Sequence, residues 1–314
     1  MRSAPAQPLC RTALARLVAC VGLCLVVAGP IVAEVDPALA KRGIDGLQAV
    51  PLAQIADRQI SRLGQAALAI RPNEWLHAQT EHFVFHYFQS HVATPVSVEA
   101  EFYRRVYAQE LRVESLPPGP KAHVFVFDRP VDWDAFRRNA SLDPWTGGIH
   151  SGNELFVLRD PSYKFKDNGL GHEILHLTIA RLYPAPLPLA IEEGLAELLS
   201  IRARSSYMRA RGYISKPYAP TLAKARMLPL RQLLATRSYP ATPEAVEVFY
   251  AQSHLLVRFL WGDDPKAFLD LLARLGRGEP LENAIPMAFG TRFTGIDALD
   301  AAFQARRVPP GEEG

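Results

Sequence analysis

Gly171-His172-Glu173-Ile174-Leu175-His176-Leu177 is the stretch on which the reading of this chain turns. Residues four apart on an α-helix lie one turn above each other on a single face. His172 and His176 therefore present two imidazoles to one point, the spacing that grips one tetrahedral Zn²⁺. Glu173 stands beside the first of them, where its carboxylate reaches a water in the open coordination position and can take its proton. Leu175, Ile179 and Leu182 form an apolar stripe turned away from the metal face, and the helix is expected to run from a cap at Asp167 or Asn168 to about Leu182. The competing reading of so short a motif is two solvated histidines, so the flanking chain must supply what the pair lacks.

What it lacks is a third donor, because a catalytic zinc takes three protein ligands and a water. Glu193 is placed to be that donor. It lies in Ile191-Glu192-Glu193-Gly194-Leu195-Ala196-Glu197, on a second helix starting near Leu189, and the proline-rich connector 183–188 folds that helix back against the first. The pattern H-E-x-x-H followed by E-G-x-A-E resembles the gluzincin metallopeptidases, most closely the peptidase MA-like group of bacterial proteins. That resemblance implies His172, His176 and Glu193 as zinc ligands and Glu173 as general base. It also implies that Glu197 orients a ligand histidine through its other ring nitrogen. Glu192, about 100° further round the helix, points elsewhere on this reading. A metzincin is excluded, since Ile179 and Leu182 stand where its glycine and third histidine belong.

The order of elements extends the resemblance over roughly 75–261. His82 to Phe88 reads as a β-strand on aromatic content and partial alternation, with its histidines on a solvated face or lining the sheet edge. Thr94-Pro95 looks like an N-cap and a first-turn proline opening a helix to about Val113. A second strand follows at 122–127, a short helix at 131–139, and turn chemistry at 145–152. Leu155, Phe156, Val157 and Leu158 form a third strand, read as antiparallel at an edge. In gluzincins such an edge strand binds an extended peptide through main-chain hydrogen bonds, which makes these four the substrate strand. An oxyanion donor is also needed. Tyr250, in a Tyr-x-Gln that resembles the family's signature, and His254, one turn further along the same helix, are the candidates, with Tyr183 a weaker one. Beyond Arg204 the pattern is almost wholly helical.

The expected fold is therefore α+β and gluzincin-like: an N-terminal mixed sheet with helices, a mostly helical C-terminal half, and the metal site in the cleft between. By residue, 1–33 is a signal peptide, 34–74 an N-terminal helical segment, and 75–262 the catalytic domain. A helical subdomain occupies 263–307, and 308–314 is a disordered tail.

The remaining composition bounds compartment and partners. Arg2, Arg11 and Arg16 precede or flank the apolar run 17–28, which is shorter than the roughly 20 residues of a spanning helix. A cleaved export signal is expected, with cleavage after Ala33 or, next, after Ala40, and a membrane anchor as the rival. Cys10, Cys20 and Cys24 all lie in this segment, so a mature chain has no thiol and no disulfide. Cleavage also removes three of the 35 basic residues, leaving 32 against 32 acidic. Near-neutral charge without a basic run argues against nucleic acid. The functional expectation is an exported, periplasmic or secreted zinc metallopeptidase acting on a peptide or protein, with membrane contact only through an uncleaved N-terminus. Its alternatives are a catalytically silent zinc-containing assembly protein of the cell envelope and an amidase of cell-wall peptides.

Overall fold

The computed structural model describes residues 47–55, 57–143, 146–159, 169–214, 222–223 and 226–305. The export segment with its cysteines, the cleavage candidates, the cap candidates Asp167 and Asn168, and the tail lie outside the described residues. No helix among those described is long and apolar enough to cross a membrane.

Five strands make one mixed sheet: β1 (Leu76–Gln79), β2 (Phe83–Tyr87), β3 (Ala122–Phe127), β4 (Gly148–Ser151) and β5 (Glu154–Leu158), in the order β1-β2-β3-β5-β4. The central three are parallel, and β1 and β4 close the two edges antiparallel. Parallel strands are covered on both faces and so read as continuous apolar runs, which is why β2, β3 and β5 show weak alternation. The first crossover is α2 (Ser90–Glu110), and α1 (Arg62–Leu68) and α3 (Pro130–Asn139) also belong to this half. One face of the sheet (Phe83, Phe85, Tyr87, Val124, Val126, Leu155, Val157) shares a core with α2 and with α4 (Gly169–Leu182). On the other, Phe125, Phe127 and Phe156 pack with Trp75, Trp133, Phe136 and Ala67 of α1.

The second half is helical: α5 (Leu189–Ala210), α6 (Leu230–Leu234), α7 (Pro243–Asp263), α8 (Pro265–Gly276), α9 (Leu281–Phe289) and α10 (Ile296–Ala305). Phe268, Leu271, Ile285, Leu299 and Phe303 of the last three join the same core as α4 and α5. A mixed α/β chain with ten α-helices among the described residues agrees with the expected class.

Several local expectations are corrected. Apart from a 3₁₀ turn (Leu52–Gln54), the described part of the N-terminal segment is helical only at α1. Val50 instead donates its N–H to the carbonyl of His77 at 2.8 Å, and Ser61 starts the helix by accepting from Leu63 and Gly64. Helix α2 begins at Ser90, and Pro95 lies inside it. Thr94 does not cap it; its hydroxyl accepts from the Leu47 N–H at 3.3 Å. Residues 148–151 are strand rather than turn, and the tight reversal falls at Gly152, whose φ of 59° suits glycine. His86 is not solvated. It is fully buried, bonded at 2.8 Å to His77 on one side and to His123 on the other.

The substrate-strand assignment of Leu155, Phe156, Val157 and Leu158 is also overturned. β5 pairs with β3 along one side and with β4 along the other, so its main chain is already committed. The edge is β4, because the hairpin after Gly152 lays the shorter preceding strand outside β5.

Candidate metal centre

Helices α4 and α5 bring three donors to one buried point. His172 Nε2 lies 3.0 Å from His176 Nε2 and 3.1 Å from Glu193 Oε2, and His176 Nε2 is 3.5 Å from Glu193 Oε1. Ligand bonds of about 2.0–2.2 Å in a tetrahedron set donors roughly 3.3–3.6 Å apart, so the triangle is within a few tenths of an ångström of the size a metal ion requires. All three candidates from the sequence are brought together, and they form a group able to hold a metal. Two glycines permit the approach of the helices. A Cβ on Gly171 would lie 2.9 Å from the Tyr107 hydroxyl, which donates to the Gly171 carbonyl at 2.8 Å. A Cβ on Gly194 would lie 2.2 Å from the Ser253 carbonyl oxygen, so glycine beside Glu193 is what lets α7 pack directly on α5.

Each histidine of the group has its own carboxylate behind it. His172 Nδ1 is 3.1 Å from Glu197 Oε1, as the resemblance implied, and His176 Nδ1 is 2.8 Å from Glu192 Oε1. Glu192 is thus not turned away from the site. The two histidines stand one turn apart on α4, so the carboxylate that reaches the second ring must leave α5 at a different azimuth from the one that reaches the first. With Nδ1–H donated to a carboxylate, each ring presents the Nε2 lone pair to the centre.

The electrostatics favour a positive charge there. Burial works against charging His172 and His176, but hydrogen bonds to Glu193 and Glu197 hold the first well above the usual range. Bonds to Glu192 and Glu193 hold the second up at about 9. Glu193 is fully buried, which alone would raise it; the two imidazoles bonded to it push it far below the carboxylate range instead.

Glu173, nearly buried on α4, faces the edge strand: a Cβ on Gly148 would lie 2.7 Å from its Oε1. β4 also carries His150, whose ring is parallel to that of His176 at 6.3 Å and whose Nε2 donates to the Gly152 carbonyl at 2.9 Å. Burial, then the charge on His176, pushes His150 down to about 4. The site is therefore bordered by the sheet edge on one side and by α5 and α7 on the other.

Tyr250 of α7 sets its ring 6.2 Å from that of His172, tilted by 50°. Burial and then the nearby Glu193 and Glu173 raise its hydroxyl above the usual range, so it stays a donor. Gln252, the other half of the Tyr-x-Gln pair, clamps Leu228, accepting from its N–H at 2.8 Å and donating to its carbonyl at 2.6 Å. His254 is buried and not among the three donors, its Nδ1 without a hydrogen-bond partner among the described residues, and burial pushes it down to about 4. Tyr183 packs on Gly276, where a Cβ would lie 2.2 Å from its ring, and serves the connector.

Sequence reasoning missed Tyr239, whose hydroxyl donates to Glu193 Oε1 from the loop before α7. No motif marks it. Gly148 and His150 were legible only as parts of a turn; reading 148–151 as a strand places both side-chain positions on the face toward α4.

The chain matches no family model and no curated protein sequence.

Proposed function

We propose that this protein is an exported, metal-dependent peptide hydrolase of gluzincin type, using zinc. The observation that carries the reading is the position of Glu173, with its carboxylate beside Gly148 of the edge strand and close enough to act on the charge of His172 in the His172–His176–Glu193 group. An extended peptide added along β4 would run past that carboxylate. Bound zinc would supply Lewis acidity and a water of lowered pKa. The chain's own groups do the rest. His172, His176 and Glu193 hold the ion, and Glu197 and Glu192 fix the imidazoles. Glu173 takes the proton of the attacking water and passes it to the leaving nitrogen. Tyr250 keeps its proton and donates to the developing oxyanion. Burial of Glu173 limits competing water around the proton it carries.

Glu173→Gln keeps the shape and removes the base. The expected result is unchanged metal content with peptide cleavage reduced by about 10²- to 10⁴-fold. Equal cleavage by parent and variant would sink the reading. Zinc content without turnover on any peptide library would favour the silent assembly protein, and turnover confined to cell-wall fragments the amidase.

A further inference from the structure

Glu193 has two oxygens, and the chain treats them differently. Oε2 faces His172 Nε2 at 3.1 Å, whereas Oε1 stands off at 3.5 Å from His176 Nε2 and accepts the hydroxyl proton of Tyr239. Tyr239 comes from the non-helical stretch between α6 and α7, and the residue is 51% exposed, yet its hydroxyl reaches a carboxylate that is 0% exposed. Its ring is held there by stacking on Tyr250 at 6.2 Å and 11°, and by the edge of Phe249 at 6.4 Å. A surface side chain aimed at a buried ligand atom, with aromatic packing on its flank, is a built contact rather than a passing one.

We propose that Tyr239 is a positioning residue of the metal centre: its hydroxyl occupies Oε1, so that Glu193 offers the metal Oε2 alone and a coordination position stays open for water. This rests on the metal-centre reading of His172, His176 and Glu193. A carboxylate free to swing would bind through both oxygens and fill the position that hydrolysis needs. The same hydroxyl lies against that of Tyr250, so the residue that steadies the ligand also steadies the oxyanion donor.

The test compares the parent with Tyr239→Phe and Tyr250→Phe, each stripped and reloaded with Zn²⁺ or Co²⁺. Phenylalanine keeps the ring stack and removes only the hydroxyl. Outer partners of ligands typically contribute 10- to 100-fold to affinity. Tyr239→Phe should therefore bind Zn²⁺ at least about tenfold more weakly in competition with a chromogenic chelator. Its Co²⁺ form should show the weaker visible absorption of a higher coordination number, while Tyr250→Phe keeps the parent's affinity and spectrum. Parent-like affinity and spectrum in Tyr239→Phe overturn the positioning role and leave the hydrolase reading standing. A parent that binds neither ion ends both.

Discussion

Two groups of buried and half-buried histidines sit in this protein and are built on opposite terms. In the candidate metal centre, His172 and His176 each have a carboxylate on Nδ1, and Glu193 lies between them on the other side. In the sheet, His77, His86 and His123 run across β1, β2 and β3 with their rings bonded to one another. Glu154 stands beside His123 in register, but its carboxylate is spent on Ser61, accepting from the N–H and the hydroxyl at 2.5 Å each. The first group is held above the ordinary histidine range by its carboxylates; the second is held below it by burial. Removal of the same side chain from solvent thus accompanies a donor group able to hold a cation in one place and a hydrogen-bonded row in the other. Carboxylates decide which.

Removing a carboxylate should move the first group toward the second. The largest effect is expected of Glu193→Ala, which deletes a ligand and the charge that draws the ion in. Elemental analysis should fall from stoichiometric metal to trace, and full metal retention would end the ligand assignment. Glu192→Gln removes only the charge behind His176. Metal should still bind, with affinity lower by about 10- to 100-fold in chelator competition. If affinity is unmoved, Glu192 is the decoy that its helical azimuth suggested.

How much of this was legible follows from where the determinants lie. The donor group could be read because i, i+4 spacing on one helix and a Glu-Gly on the next are local facts about the chain. The sheet face of α4 and the helical second half were legible for the same reason of periodicity. Register is not local. Whether β5 or β4 forms the edge depends on how far the hairpin at Gly152 carries the chain, and a continuous apolar run such as Leu155 to Leu158 fits a central strand better than an edge. Tyr239 lies 46 residues from Glu193 in a loop with no pattern, so only the packing of α7 on α5 reveals it. His86 was misread because a histidine among aromatic residues resembles a solvated position unless its partners on neighbouring strands are known.

The smallest effect should come from the sheet row, and it has a definite sign. An unfolded histidine titrates near 6.5, while burial keeps the folded His86 neutral well below that, with the charges of His123 and His77 acting in the same direction. Burial also lowers His77 and His123, although Asp57 and Glu154 partly oppose it at His123. Below about pH 6.5 the unfolded chain therefore binds more protons than the folded one, so this contribution to stability is complete above 6.5 and is lost as the pH falls. His150 and His254, both near 4, act in the same sense and remain in any variant of the row. Replacing His86 by phenylalanine, which can keep the stack that His86 makes on Phe125 at 4.4 Å, removes one titrating group. Denaturant unfolding of the metal-loaded protein at pH 7.5, 6.5 and 5.5 should show stability falling toward acid in the parent. The slope in His86→Phe should be shallower by up to about 1.4 kcal/mol per pH unit. Identical slopes would mean that the row already carries a proton in the folded state, and the contrast between the two histidine groups would then be one of geometry alone.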